Sequence, residues 1–179
     1  MMEYPADWVL VVVVVIAAVV DLKRRRIPNW LTVPAFVLAL AFRVPLGSDA
    51  LLAGLAAALI AFAVSVLVFA LGGLGGGDVK LLTAAGAFLG LERLGPALLV
   101  TALVGGAIAA TAVLKKGRVS ETLANMYMVL RSLGSRDAYT GWKGEEGDAP
   151  LTIRSAGVIT RPYGVAIAAG SIYAVLPFL

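Results

Sequence analysis

Long apolar runs, separated by short charged or glycine-rich breaks, constrain the fold of this chain more than any other feature. Hydrophobic residues make up 60% of its 179 residues and charged residues only 15%, against roughly 45–50% and about 25% in soluble domains. Such a chain has too little polar surface to cover a water-soluble particle, which excludes soluble enzymes and nucleic-acid-binding modules. The sequence therefore predicts an integral membrane protein surrounded by a lipid bilayer.

Six apolar runs predict about six transmembrane helices, because a spanning helix needs about 20 residues. The first and fourth runs are short, so we expect their helices to extend into flanking polar residues. The predicted fold class is all-α, a single polytopic domain over residues 1–179. A cytoplasmic loop at about 115–156 carries apolar residues at three- and four-residue spacing over 119–133, which predicts a helix on the membrane surface. The runs are 8–22, 28–46, 50–71, 79–92, 95–114 and 157–177.

The distribution of basic residues predicts the orientation in the membrane. Only Arg43 and Arg93 fall on one side of the six predicted spans. The positive-inside rule places the other, basic side in the cytoplasm and both termini outside. The basic side carries Lys23, Arg24, Arg25, Arg26, Lys80, Lys115, Lys116, Arg118, Arg131, Arg136, Lys143, Arg154 and Arg161.

The residue types present limit the chemistry. The chain contains no cysteine and no histidine, which excludes disulfides, thiol nucleophiles, Cys/His zinc sites and histidine-dependent triads. It also lacks the G-x-x-x-x-G-K-[ST] pattern of phosphate-binding loops. Any reaction must use carboxylates, hydroxyls, lysine or the backbone, and we predict neither a metal nor a cofactor.

Two aspartates stand out because they lie at the edges of apolar runs on the predicted cytoplasmic side. Asp21 ends the first run, and Asp78 follows the glycine-rich segment 72–77. An ionisable group near hydrocarbon is costly and marks a candidate functional site. Two carboxylates that approach each other share a proton, so one can activate a water molecule while the other polarises a peptide carbonyl. A residue of the headgroup region is the simpler interpretation for either aspartate alone.

Three segments carry a resemblance to a known family. Gly75, Gly77 and Asp78 form the G-x-G-D motif of intramembrane aspartic proteases. Together with the residues after it and with segments 21–32 and 162–170, this motif resembles type IV prepilin peptidases and the related preflagellin peptidases. The similarity is greatest to the small enzymes of tight-adherence (Flp) pilus systems.

The resemblance implies a function and a site. Asp21 and Asp78 would be the catalytic pair. The partner would be a prepilin-type precursor, with a short basic leader in the cytoplasm followed by a hydrophobic helix, cleaved at the cytoplasmic face. The chain has no cysteine and no recognisable methyl-donor motif, so we predict a peptidase without N-methyltransferase activity.

Four further residues are candidates for shaping the site. Gly75 and Gly77 lack a Cβ and would let a substrate backbone approach closely. Lys80 could tune the acidity of Asp78 or contact substrate, although a lysine extending to the inner headgroup region explains it equally well. Asn29 could hydrogen-bond near the Asp21 turn or cap the second helix.

Two other functions stay open at this point. A small proton-coupled transporter could use Asp21 and Asp78 as relay carboxylates. A membrane scaffold without catalytic activity would not need two acids at one depth. The sequence predicts no nucleic-acid partner, and a homodimer is an option that it leaves undecided.

Overall fold

The computed structural model describes residues 5–70, 73–116 and 163–176. The chain divides into two compact units, residues 1–107 with 161–179 and residues 108–160. The tertiary contacts below lie within the first unit, and the described part of the second is the end of one helix. The helix predicted at 119–133 lies outside the described residues. The elements are α1 (Pro5–Arg24), α2 (Asn29–Arg43), a 3-10 helix (Val44–Leu46), α3 (Ser48–Ala70), α4 (Gly76–Lys116) and α5 (Tyr163–Val175).

The described residues confirm an all-α membrane protein, and no β-strand occurs among them. Each of the six predicted apolar runs overlaps a helix, with the fourth and fifth both inside α4 and the sixth represented by the shorter α5. The exact number of spans remains a prediction. In the part of the chain that the structure describes, four helical stretches are long and apolar enough to cross a membrane: Pro5–Arg24, Asn29–Leu46, Ser48–Ala70 and Gly76–Thr111.

A tight turn joins α1 to α2. Arg25 has a left-handed backbone (φ 51°), and its N–H donates to the Asp21 carbonyl over 2.7 Å. This local conformation is a common way to end a helix. Pro28 is extended (φ −78°, ψ 148°), and its carbonyl accepts from the N–H of Leu31 in the first turn of α2. As predicted for a short apolar run, α1 extends at both ends into polar residues.

One residue inside α4, Gly90, breaks the helix, with φ 71° and ψ 179°. The break leaves carbonyls in the preceding turn without their usual helical N–H partners. The Arg43 guanidinium, at the end of α2, supplies donors instead, to Ala87 O over 2.6 Å and Phe88 O over 2.9 Å. It also donates to Ala50 O over 3.0 Å, so one side chain joins α2, α3 and α4.

Contacts at the start of α4 and just after the break place these two points at opposite ends of α1. Asp7 and Asp21 mark opposite ends of α1, roughly 21 Å apart at 1.5 Å per residue. The start of α4 lies at the Asp21 end, where Gly77 packs against the α1–α2 turn. Arg93 instead pairs with Asp7 at the other end. The first segment of α4 thus runs from the Asp21 end of α1 to its Asp7 end. The non-helical residue, Gly90, precedes the gap predicted between the fourth and fifth runs, at 93–94.

Small residues allow the returning segment of α4 to pack closely on α5. Gly105 lies against the ring of Tyr163, and Gly170 contacts Ala97 and Thr101. The order of these contacts shows that α5 runs antiparallel to this segment. Close approach at glycine and alanine is the usual way in which membrane helices associate. The packing places the start of α5 at the Asp21 end of α1.

Candidate active site

Asp21 lies in the last turn of α1 and is buried, with 5% of its surface exposed. Its Oδ2 accepts a hydrogen bond of 2.9 Å from the backbone N–H of Gly164. Gly164 is the second residue of α5, so its N–H is one of the first four in the helix, which have no partner within it. A residue at the other end of the sequence thus holds the Asp21 carboxylate.

Asp78 occupies the third position of α4 and is also buried, at 7% exposure. Its Oδ2 accepts a 2.9 Å hydrogen bond from the N–H of Gly75, whose carbonyl accepts the helical bond from Val79. This is the geometry of a capping box, in which the third residue reaches back to the N-cap. The other oxygen, Oδ1, is buried and has no hydrogen-bond partner among the described residues. The carboxylate is therefore fixed through one oxygen, while the second is buried without a hydrogen-bond partner.

The two aspartates are brought together at one end of the first compact unit. They lie close enough for their carboxylates to interact electrostatically. One reason is the packing of Gly77, where an added Cβ would lie 3.0 Å from Ile27 Cβ and 3.1 Å from Ile27 O. This contact holds the start of α4 against the turn that follows Asp21.

Lys80 and Asn29 also contact each other, so that Asn29 makes a hydrogen bond near the Asp21 turn, one of its two expected roles. The Lys80 ammonium donates to Asn29 Oδ1 over 2.8 Å, at an exposed position. Asn29 does not cap α2, because the N-cap is Pro28 and no side chain caps that end. The hydrogen bond joins the start of α2 to the start of α4, so it adds a second contact between the α1–α2 turn and the helix that carries Asp78.

This arrangement has the parts needed for acid–base chemistry on a bound carbonyl. Two buried carboxylates come from different helices, each held through one oxygen by a glycine N–H. Two interacting acids can share one proton, so that one accepts a proton while the other donates. Among residues 5–70, 73–116 and 163–176, no group of three or more Asp, Glu, His or Cys side chains could hold a metal ion.

A second polar cluster lies at the opposite end of α1. Arg93 makes hydrogen bonds of 2.9 and 3.0 Å to the two carboxylate oxygens of Asp7, and Asp7 is 4% exposed. A pocket of about 430 Å³ lies beside this pair, with Arg43 and Glu92 in its wall. The sequence analysis did not identify this cluster. The sequence does contain a hint of it, because Arg43 and Arg93 are the two basic residues predicted on the outer side and Asp7 is an acidic residue near the N-terminus on that side.

The sequence analysis also missed Gly164 as a residue of the site. It lies inside segment 162–170, which carried part of the family resemblance, but a glycine in a helical pattern gives no sign that its N–H reaches a carboxylate more than 100 residues away. The contact depends on how α5 packs against α1. The spacing of residues along the chain does not predict that packing.

Comparison with known proteins gives one family and one curated relative. The model of the type IV leader peptidase family matches residues 8–110, more than half of the chain and including both aspartates. A prepilin leader peptidase/N-methyltransferase of Bacillus subtilis (strain 168) is 32% identical over 133 residues, which cover 73% of this chain and 53% of that protein. The chain thus spans about half the length of this relative. No solved structure gives a significant match.

Proposed function

The chain belongs to the type IV leader peptidase family, and from this membership we propose that it is an aspartic endopeptidase of the cytoplasmic membrane. Its substrates are prepilin-type precursors, of Flp pilins or of archaellins and related pilins, from which it removes the short basic leader. The observation that carries the proposal is the placement of Asp21 and Asp78 at the same end of the unit, both buried, each on its own helix and each bonded to a glycine N–H.

The chemistry follows from two carboxyl groups that share a proton. The ionised carboxylate takes a proton from a water molecule, whose oxygen bonds to the carbonyl carbon of the scissile peptide. The protonated partner donates to the carbonyl oxygen, which gives a neutral tetrahedral intermediate. The C–N bond then breaks as a proton passes to the leaving nitrogen, and the second product is a carboxylic acid. The unpartnered Asp78 Oδ1 is the atom that we assign to contact with the water.

The proposed location of the reaction rests on charge. The end of the unit that carries the aspartates also carries the basic residues of the α1–α2 turn and Lys80. The opposite end has Arg43 and Arg93, with Asp7 beside them. The positive-inside rule assigns the first end to the cytoplasm, where the leader of a precursor and its scissile bond lie.

Replacing each aspartate with asparagine tests the proposal. Asn has nearly the same shape, and its amide oxygen can accept the same glycine N–H, so Asp21→Asn and Asp78→Asn should fold. Each should lower the cleavage rate of a purified precursor by about 100-fold or more, because acid–base catalysis contributes roughly 10²–10⁴-fold. Asp49→Asn, at an exposed position in the first turn of α3, is the matched control.

Three outcomes separate the candidate functions. Loss of cleavage in both aspartate variants, with activity kept in Asp49→Asn, supports the peptidase. Full cleavage by a folded Asp21→Asn or Asp78→Asn protein contradicts it. A wild-type protein that leaves precursors intact but moves protons across proteoliposomes, in a manner dependent on the same aspartates, would establish the transporter alternative.

We also propose that this chain acts as a peptidase without N-methyltransferase activity. The support is the absence from the sequence of cysteine and of a recognisable methyl-donor motif. Mass spectrometry of the cleaved product, after incubation with S-adenosylmethionine as the methyl donor, gives the answer. We expect an unmodified N-terminus, and a mass increase of one methyl group would contradict this part of the proposal.

A further inference from the structure

We propose that Gly164 is a positioning residue of the active site, which orients the Asp21 carboxylate through its backbone N–H and through the absence of a side chain. The inference rests on the proposed peptidase function and deepens it. It makes α5 a part of the site, although α5 carries neither aspartate. Three features support it: the hydrogen bond from Gly164 to Asp21, the lack of room for a Cβ at position 164, and the packing that holds α5 against α4.

The hydrogen bond has a donor that is well placed to hold a carboxylate. The Gly164 N–H lies 2.9 Å from Asp21 Oδ2, and the bond is buried. The first N–H groups of a helix point along its axis and carry a partial positive charge. Hydrogen bonds to an ionised acceptor are shorter and stronger than neutral ones. The start of α5 therefore holds one oxygen of the Asp21 carboxylate in place.

The space at Gly164 is too tight for a Cβ unless a neighbouring group moves. A Cβ built there would lie 3.0 Å from Asp21 Cβ and 3.1 Å from Asp21 Oδ2. Carbon–carbon contacts are favourable at about 3.5–4.0 Å, so an alanine would need movement of a few tenths of an ångström or more. The side chain that this Cβ would contact is that of Asp21, the proposed catalytic residue.

The packing of α5 against α4 indicates whether α5 or the Asp21 side chain would move to accommodate a methyl group at position 164. Gly105 packs against the ring of Tyr163, the residue directly before Gly164. Farther along α5, Gly170 contacts Ala97 and Thr101 of α4 so closely that no side chain would fit. Because α5 is held at both points, the flexible Asp21 side chain gives way more easily than the helix. A methyl group at position 164 therefore rotates the carboxylate and lengthens its hydrogen bond.

The test compares Gly164→Ala with Gly86→Ala. Gly86 is a matched control because a Cβ there would lie 2.8 Å from Ala61 Cβ and 2.9 Å from Ala57 O, in a helix contact away from the aspartates. The purified full-length variants are assayed on a precursor for kcat and KM, and their thermal unfolding is followed. We expect Gly164→Ala to lower kcat about tenfold, because the displacement is a few tenths of an ångström and a misplacement of about 1 Å can cost about 100-fold. KM should stay within threefold. Gly86→Ala should reduce thermal stability to a similar degree but keep kcat within threefold.

Two results would overturn the inference without touching the proposed function. The first is a folded Gly164→Ala enzyme whose kcat matches that of Gly86→Ala, while the wild type cleaves normally. The second result concerns the case in which Gly164→Ala does not fold. The double variant Asp21→Gly with Gly164→Ala lacks the clash between the two side chains and should then fold. If the double variant also fails to fold, the contact with Asp21 is not the cause and the inference is wrong. A wild type that does not cleave precursors instead defeats the proposed function.

Discussion

At the residue scale, the three glycines before Asp78 have three different environments. Gly75 donates its N–H to Asp78, and Gly77 packs on the backbone of Ile27. An added Cβ at Gly76 would meet nothing within 4 Å. In the G-x-G-D motif, Gly75 therefore caps α4 and Gly77 permits contact with the α1–α2 turn. Position 76, between them, has room for other residues.

We predict that Gly77→Ala is damaging and Gly76→Ala is not. A methyl group at position 77 presses on backbone atoms of the α1–α2 turn, and overpacking of this kind costs typically 1–3 kcal/mol. It also separates Asp78 from Asp21, so cleavage should fall by more than stability explains. Alanine at position 76 lies in the first turn of α4, where it should be neutral or stabilise by up to about 1 kcal/mol.

Chemical denaturation and precursor cleavage measure both effects. Equal behaviour of Gly76→Ala and Gly77→Ala would show that the packing against Ile27 does not hold the two aspartates together.

The sequence singled out Asp21 and Asp78 as candidate site residues because ionisable side chains are unusual at a membrane boundary. Their position at the edges of apolar runs can be read from one sequence. It did not reveal how Lys80 and Asn29 are used. Each had a plausible local role, and their mutual hydrogen bond joins residues 51 positions apart. Contacts of this kind follow from the packing of α2 and α4, so the residues could be selected as candidates but not paired.

At the element scale, the break in α4 shows where hydrophobic patterning stops being informative. The apolar runs predicted a gap at 93–94, yet both of these residues lie inside the helix and the break is at Gly90. The reason is Arg43, which reaches from α2 to the carbonyls before the break. Apolar runs predicted the helices well, because the bilayer demands length and hydrophobicity, but they could not locate a break that depends on a donor from another helix.

We predict that substitutions of Arg43 destabilise the protein in a defined order. Arg43→Met removes three hydrogen bonds and leaves carbonyls unsatisfied, at about 1–3 kcal/mol for each buried group. Arg43→Lys keeps the charge but cannot reproduce the planar set of donors, so its loss should be intermediate. Arg26→Met, at an exposed position in the α1–α2 turn, should leave the free energy of unfolding nearly unchanged. Urea or heat unfolding in detergent gives the ranking, and a Lys variant as stable as the wild type would contradict the capping role.

Gly90 itself offers an independent check on the same break. Its combination of φ 71° and ψ 179° is essentially confined to glycine and costs a residue with a Cβ roughly 1–3 kcal/mol. An added Cβ would also lie 2.7 Å from an Arg43 nitrogen. Gly90→Ala should therefore be destabilising, whereas Gly95→Ala should not, because nothing lies within 4 Å of a Cβ at that position. Thermal unfolding of the two variants compares them directly, and similar melting temperatures would count against a strained break at Gly90.

At the scale of the whole molecule, α1 connects two polar ends separated by an apolar middle. Asp21 belongs to the candidate active site and Asp7 to the ion pair with Arg93. The apolar side chains exposed between these ends, such as Val12, Val15 and Val19, suit contact with lipid. The charge difference between the ends is the physical basis of the proposed orientation.

Labelling tests this orientation cleanly, because the chain contains no cysteine of its own. Ser48→Cys and Arg26→Cys place single thiols at exposed positions near opposite ends of the helices. In intact cells, or in spheroplasts if an outer membrane is present, a maleimide that cannot cross the membrane should label position 48 from outside. Position 26 should react only after the membrane is opened. The reverse pattern would place the aspartates on the outer face and would contradict the proposed site of cleavage.

The ion pair at the other end should support folding rather than catalysis. Asp7→Asn leaves the Arg93 charge without its carboxylate in a partly buried place, and we expect a loss of about 1–3 kcal/mol in unfolding free energy. The folded fraction should keep its kcat, because the pair lies roughly 21 Å from Asp21 along α1. Unfolding and cleavage assays on the same preparation separate the two effects, and a specific loss of kcat would show that the two ends are coupled.

The hydrogen bond between Asp21 and Gly164 has a consequence for biosynthesis. A ribosome completes residues 21 and 78 long before it reaches residue 164, so the two acids enter the membrane before the group that orients one of them exists. On the proposed mechanism, the nascent chain hydrolyses peptides only slowly until its late helix has inserted and docked. The order of translation would then limit proteolysis by a chain that is still being made.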